Sequence, residues 1–268
     1  MSRQHSFVVG VPIRNQLPFV RLCMASLFAF NHPNTRILLV DDGSETPTQE
    51  YLVEISGRPG VTLLRNERPR GVPYCFNEIL YNSSEEEICF LNSDTLVTPQ
   101  WDVHLSAVIE SSQEIGMTGP STSFTHTEQS LPGLLENRMS QDSASASQIA
   151  HRVYQFYRGQ LKVLRTLGGF CLAVRRDVVR KIGYFDECFG IGAAEEDDFI
   201  ARARDAGFLP VWVKYAYVHH FGHCTMTQEL KGASAELWRK NRLIFEIKRL
   251  TPGLPELVHT PGANSVRS

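Results

Sequence analysis

Four groups of residues in this chain have the chemistry to act on a charged substrate. Asp41-Asp42 follow the apolar run RILLV, and Asp94 follows ICFL within the polar turn Asn92-Ser93-Asp94-Thr95. Glu195-Glu196-Asp197-Asp198 stand side by side, and His219, His220 and His223 come after a run of aromatic and β-branched residues. A carboxylate at the end of a buried strand is costly unless a cation or hydrogen-bond donors compensate it. Asp94 is therefore the candidate ligand for a hard divalent metal, and imidazole at a strand exit suits the same role. A metal there can act as a Lewis acid for a leaving phosphate, and a nearby carboxylate can take the proton of an attacking hydroxyl.

Each group also has a plain structural reading. Asp41-Asp42-Gly43-Ser44 are the residues that turns and helix caps favour, and Asn92–Thr95 suits an Asx turn. Four acids can mark a helix N-terminus, and the histidines can lie on the surface. Four adjacent carboxylates nevertheless repel one another more than a cap requires. All four groups also fall on one predicted sheet rim, which favours a site over four separate accidents.

The hydrophobic pattern supplies the elements that must carry these residues. Phe7–Ile13 is a continuous apolar run, the pattern of a strand buried on both faces. Leu17–Phe30 has helical periodicity, and Arg36–Val40 is a second buried strand, so the chain opens with a βαβ unit and a parallel sheet. Thr48–Ile55 (helix), Val61–Leu64 (strand), Tyr74–Tyr81 (helix) and Ile88–Leu91 (strand) continue the alternation. In such sheets ligands bind beyond the carboxyl ends of the strands. Trp101–Ser111 reads as a helix and Gly116–Pro120 as a strand. Ser121–Gln148 is poor in apolar residues and is expected to be a mobile active-site loop or a disordered insertion, with order resuming near Val153. Gly168–Val174 is then a predicted strand, Arg175–Ile182 and Glu195–Ala206 helices, and Pro210–Val213 and Tyr215–Val218 strands. Ala233–Leu250 is a basic amphipathic helix that packs its apolar face on its own domain or meets a membrane surface or partner.

Composition narrows the class. With 268 residues, 42% hydrophobic and 21% charged, the chain suits a soluble α/β protein with a sizeable core. A net charge of −2 argues against nucleic acid as the main partner. The start has no apolar signal-peptide core and no run approaches a membrane span, so a cytoplasmic protein is expected. The six cysteines contain no CxxC pair and sit in apolar surroundings, which predicts buried thiols rather than disulfides or a zinc site. No GxxxxGK[ST] and no strand-linked GxGxxG appears, so a diphosphate would have to be neutralised by a metal rather than by a phosphate loop.

Taken in order, the motifs resemble those of family 2 glycosyltransferases with the GT-A fold. They are VPIRN, LLVDDGS, the NxxxxG of Asn66–Gly71, FNEIL around Asn77, FLNSDT, GGFCLAVRR, IGYFDECFGIGAAEEDDFIARARDAGF and YVHHFGHCT, with Asn241–Leu250 similar to the family's closing helix. The match is nearest to the subgroup with an LNxDT metal motif. The resemblance implies a single catalytic domain over 1–230, with a nucleotide-binding half of about 1–100 and an acceptor-side half of about 101–230, followed by a helix and tail over 231–268. It implies a nucleotide site at Pro12, Arg14, Asp41, Asp42, Asn77 and Ser93. Asp94 would hold Mn²⁺ or Mg²⁺ as the motif's only carboxylate, with His219, or alternatively His220 or His223, completing the site. Asn92, Gly168, Gly169 and Glu195 would lie near the donor or acceptor sugar. The family's base maps to Glu196 when counted back from Asp198-Phe199 and Arg202, and to Asp197 one residue later.

The implied reaction is metal-dependent, inverting transfer of a sugar from a UDP- or dTDP-sugar to an acceptor hydroxyl. A glycan, a lipid-linked molecule or a protein would serve as acceptor, and 233–250 offers membrane contact if the acceptor is lipid-linked. The rival readings are a nucleotide-sugar-binding protein without catalysis and a sugar nucleotidyltransferase. The second would be expected to carry an early glycine- and lysine- or arginine-rich phosphate loop, which VPIRNQLP is not.

Overall fold

β1 (Phe7–Ile13) is buried except at Pro12 and is the strand around which the sheet is built. The computed structural model describes residues 6–131, 142–222 and 234–251. After β1 come α1 (Leu17–Phe30), β2 (Arg36–Asp42), α2 (Thr46–Ser56), β3 (Val61–Asn66), α3 (Val72–Tyr81) and β4 (Glu87–Leu91). β1 pairs in parallel with both β2 and β4, and β2 with β3. The order 3-2-1-4 reverses at β1, so the carboxyl ends of β1 and β4 flank a crevice open to ligands.

The second half extends the same sheet. β5 (Thr95–Leu96), α4 (Trp101–Ser111) and β6 (Ile115–Ser121) are followed by α5 (Ser143–Tyr157), β7 (Leu161–Val163), β8 (Cys171–Arg175) and α6 (Arg176–Ile182). Then come α7 (Glu195–Asp205), β9 (Leu209–Tyr217), β10 (His219–His220) and α8 (Ser234–Leu250). The eight-stranded order is 3-2-1-4-8-6-9-7, with β8 antiparallel to β4 and β6, and β7 antiparallel to β9 at the edge. Side chains alternate across the sheet: Phe7, Val9 and Val11 pack under α1 and α4 with Met24, Leu27 and Trp101, while Val8 faces Phe76, Ile79 and Phe90.

The segment Ser121–Gln148, of which 132–141 lie outside the described residues, is structured at both ends rather than a disordered insertion. Its end lies inside α5, which starts at an Asp142 cap whose Oδ1 accepts from the Ser145 amide at 2.7 Å. That helix buries only Ala146, Ile149 and Val153, a stripe too narrow to stand out in the sequence. Before it, Thr122, Ser123 and Gln129 are buried. Gln129 donates to the Pro120 carbonyl at 2.8 Å and accepts from the Gly168 amide at 2.7 Å. A buried polar side chain satisfied on both ends holds a loop as well as apolar packing would. The two strands expected over 210–218 are one, because Lys214 continues β9 with its ammonium over the Trp212 and Tyr157 rings at 5.0 and 5.8 Å.

α8 packs on its own domain, and largely through polar contacts. Asn241 is buried and donates to the carbonyls of Phe189 and Gly192 at 2.8 and 2.7 Å. Lys248 bridges Asp186 and Asp198 at 2.6 and 2.7 Å, and Arg249 pairs with Asp205. Leu243, Ile247 and Leu250 remain exposed on its outer side. Among the described residues no helix is long and apolar enough to cross a membrane. Cys23, Cys75, Cys89 and Cys171 are buried free thiols and Cys188 is half-buried, while Cys224 lies outside the described residues.

Candidate active site

A cleft of about 1150 Å³ opens above the carboxyl ends of β1 and β4. From the nucleotide half it is lined by Pro12, Arg14, Asp42 and Arg70, and at its centre by Asn92, Ser93 and Asp94. Gly168, Gly169, Glu195, Glu196, Asp197 and His220 form the far side. Most residues expected from the sequence thus meet in one cavity, with three exceptions among those described.

Asp41 is the first exception. It is fully buried below the cleft, one oxygen paired with Arg65 and the other accepting from the Ser44 amide at 2.9 Å. Asp42, on the opposite pleat face, reaches the cleft wall. Its Oδ1 accepts from Asn66 and from the Arg70 amide, both at 2.8 Å, and its Oδ2 from the Gly71 amide at 2.9 Å. The carboxylate therefore shapes the loop that precedes α3. Gly71 has φ +94°, and a Cβ there would come within 2.0 Å of the Gly190 carbonyl oxygen, so this loop lies directly on the one leading to α7. Asn77 is the second exception. It is expected at the nucleotide but sits behind the wall, with its amide used up by Phe185 and Glu187.

His219 is the third. Successive residues of β10 point to opposite faces. His219 turns inward, with Nδ1 3.2 Å from the Tyr217 hydroxyl, and burial with the neighbouring His220 lowers its pKa to about 4. His220 faces the cleft, brought there by the antiparallel pairing of β10 with β5, which sets it opposite Thr95. Its Nδ1 lies 2.9 Å from the Phe124 carbonyl, its ring stacks on Phe170, and its Nε2 lies 3.3 Å from Asp94 Oδ1. Burial pushes this imidazole down, but the Asp94 carboxylate outweighs it and lifts the pKa above the usual histidine value. His223 lies outside the described residues.

These residues fit a divalent cation. A carbonyl at Nδ1 fixes that nitrogen as the N–H, so a cation that displaces the Nε2 proton favoured by Asp94 would find Nε2 as an acceptor. Two acceptors, Nε2 and the Asp94 carboxylate, then face each other across 3.3 Å, and Nε2 has no aligned hydrogen-bond partner. Among the described residues no group of three or more His, Cys, Asp or Glu converges, so a cation held by Asp94 and His220 would take its remaining ligands from elsewhere.

The acidic helix start is aimed by its loop. Gly192, Ala193 and Ala194 all have positive φ, at 132°, 76° and 75°. Each alanine in that region costs about 1–3 kcal/mol, strain that the surroundings must hold in place. Glu195 is buried with an unpartnered Oε2, and burial raises its pKa to about 7. Glu196 is raised too, first by burial and then by the charges of Glu195 and Asp197. Its carboxylate lies against Gly169, where a Cβ would meet Oε1 at 3.0 Å, and a Cβ on Gly168 would meet the Thr125 hydroxyl at 2.6 Å. Asp197 is engaged differently, accepting from the Thr166 hydroxyl at 2.7 Å with Arg242 at 3.8 Å. Asp198 is a structural ion pair with Arg202 and Lys248.

Sequence reasoning missed one wall. It is α8, which presents Ala235, Trp238, Arg239 and Arg242 to the cleft beside Phe124–Thr127 of the segment expected as an active-site loop. The signal was the i, i+3, i+4, i+7 spacing on a helix whose apolar residues drew attention to the other side.

A parallel 3-2-1-4 half-sheet, an acidic loop after β4 and an acidic helix across the cleft define a glycosyltransferase of the GT-A type. The model of Glycosyl transferase family 2 matches residues 8–183, and the chain belongs to that family. Solved structures share the fold. A mannosyltransferase from Pyrobaculum calidifontis in complex with GDP-Man and Mn²⁺ superposes with TM-score 0.65 at 12% identity, covering 91% of this chain and 65% of its own. TarS (residues 1–349) from S. aureus with UDP-GlcNAc gives 0.63 at 16%, over 94% and 68%. GalNAc-T7 with UDP, GalNAc and Mn²⁺ gives 0.63 at 15%, over 82% and 44%. Among curated sequences, the uncharacterized protein y4gI of Sinorhizobium fredii is 23% identical over 226 residues, 78% of this chain. The chain spans about a quarter of that relative's length.

Proposed function

We propose that the chain transfers a sugar from a UDP- or dTDP-sugar to an acceptor hydroxyl with inversion, using a divalent metal and Glu196 as the base. The observation that carries this reading is the placement of Glu196 on the cleft wall, against Gly169, in the same cavity as the Asp94–His220 pair. Pro12, Arg14 and Asp42 border the nucleotide end. Asp94 and His220 would hold Mn²⁺ or Mg²⁺, which when bound supplies the positive charge on which a nucleoside diphosphate leaves. Asn92 and Ser93 border the sugar. Glu196 takes the acceptor's proton as its oxygen attacks the anomeric carbon, and a single displacement inverts the configuration.

Glu196 is favoured over Asp197 because Asp197 is held by Thr166 and faced by Arg242, whereas Glu196 Oε2 is without a hydrogen-bond partner. The single carboxylate of the Asn92–Thr95 turn supports reading the chain as one of the LNxDT members of the family. The reading includes a cytoplasmic role in polysaccharide or glycoconjugate synthesis, with the exposed outer side of α8 meeting a membrane surface.

The test is release of nucleoside diphosphate from a panel of nucleotide sugars with and without Mn²⁺, in the presence of candidate acceptors. Glu196→Gln should lower kcat by about 10²–10⁴, and Asp197→Asn by far less. Chelator should abolish turnover, and so should Asp94→Ala. Metal-independent turnover, or full activity in Glu196→Gln, refutes the assignment.

A further inference from the structure

α8 is fixed against the domain by Asn241, Lys248 and Arg249, so the face it turns to the cleft is a built surface. That face carries Trp238, half-buried, with the His126 ring edge-on at 6.0 Å. Thr125, Thr127 and Thr166 line the same cavity, and the Thr127 and Thr166 hydroxyls, which donate to Gln129 and Asp197, keep their lone pairs as acceptors. An indole with hydroxyls around it suits the apolar face and the polar rim of a sugar ring.

Two guanidinium groups complete the set. Arg242 lies 3.8 Å from Asp197 and 3.0 Å from Glu246, so it screens the acidic start of α7 from anything entering. Arg239, one turn away, meets only the Ala235 carbonyl of its own helix among the described residues, and keeps its planar donor fork for a ligand. Such a fork matches carboxylate or phosphate oxygens in pairs. A neutral acceptor would need no cation at this wall, and an anionic one would be repelled by Glu195, Glu196 and Asp197 without it.

We infer that the acceptor is a saccharide bearing an anionic group, its ring on the Trp238 indole and its carboxylate or phosphate on Arg239, with Arg242 as the screen. This rests on the transferase reading above and adds the acceptor class to it.

The experiment uses tryptophan fluorescence of the full chain. Of its three tryptophans, Trp101 and Trp212 are buried in the core and Trp238 lines the cleft. The probes are hyaluronan tetrasaccharide for the carboxylate, glucose 1-phosphate for the phosphate and maltotetraose as the neutral control. One anionic probe should shift the emission and bind at least about ten-fold more tightly than maltotetraose. Trp238→Phe should lose the shift, and Arg239→Gln should remove the preference for charge. Equal binding of the neutral sugar, binding of none of the three, or a shift that survives in Trp238→Phe overturns the inference. In parallel, UDP affinity is measured with Mn²⁺. A ten-fold loss of UDP affinity in Arg239→Gln with saccharide binding unchanged assigns the arginine to the donor diphosphate, which also overturns it. Donor turnover without saccharide binding defeats only the acceptor class, and an absence of donor turnover with every nucleotide sugar defeats the transferase reading itself.

Discussion

Replacing Glu195 by glutamine should change how stability depends on pH, and the size of the change can be worked from its surroundings. The ordinary glutamate value is 4.5, and burial lifts Glu195 to about 7. At about 1.4 kcal/mol per tenfold step, that gap corresponds to ~3 kcal/mol. The direction follows from where the proton sits. Below pH 4.5 the folded and unfolded chains both hold it, and the group costs the fold nothing. Between 4.5 and 7 the unfolded chain releases the proton while the fold keeps it, so rising pH favours unfolding. Above 7 the folded carboxylate ionises as well and the penalty stays at its full value. Glutamine cannot ionise, so Glu195→Gln should lack this slope. The assay is urea denaturation of both proteins at pH 4.5 and pH 8, taking the difference of differences. That subtraction removes the cost of burying an amide where Oε2 has no partner. Glu196 is raised partly by the charge of Glu195, so its relaxation in the variant adds in the same direction. The expected result is a variant that gains about 3 kcal/mol on wild type between the two pH values. A gain below about 1 kcal/mol would show that the helix start is solvated and that the buried-acid reasoning is wrong.

Two further outcomes can be checked. Asn241→Leu removes the donor from two buried carbonyls, each net worth about 1 kcal/mol. It should therefore cost roughly 2 kcal/mol in urea unfolding and lower kcat by loosening the Gly192–Ala194 turn. A loss within about 0.5 kcal/mol would mean that α8 is not pinned there. Leu243, Ile247 and Leu250 are 58%, 44% and 81% exposed. If they meet a membrane, the protein should co-sediment with phosphatidylglycerol vesicles, and the triple serine variant should stay in the supernatant. Wild-type protein that does not pellet with the vesicles excludes this contact.

The first hundred residues were legible in the sequence because β1, β2 and β4 are buried on both faces and read as largely apolar runs, with the half-exposed edge strand β3 fixed between two helices. The boundaries moved outward by one or two residues, since Asp41 and Asp42 still pair in β2 and Asn66 in β3. The second half resisted for particular reasons. α5 buries too few residues, β7 is exposed throughout, and β5 and β10 are two residues long. No periodicity registers in elements of that length, yet the β5–β10 pairing is what sets His220, rather than His219, beside Asp94.

The same limit applied to the acids. Residue type located Asp41, Asp42 and the cluster at 195–198, but type alone could not separate a carboxylate that faces the cleft from one that holds the fold. Asp41 is held by Arg65, Asp198 by Arg202 and Lys248, and Asp42 by two backbone amides and Asn66. Apart from Arg202, which shares α7 with Asp198, each of those partners lies outside the carboxylate's own element, so the distinction exists only once the chain has closed. Asn241 extends this dependence to the base itself. It lies 45 residues after Glu196 in sequence, yet it grips the carbonyl of Gly192, the first of the three positive-φ residues that turn the chain into α7. The strain in that turn is sustained from α8, so the helix that walls the cleft also fixes the direction in which Glu196 points.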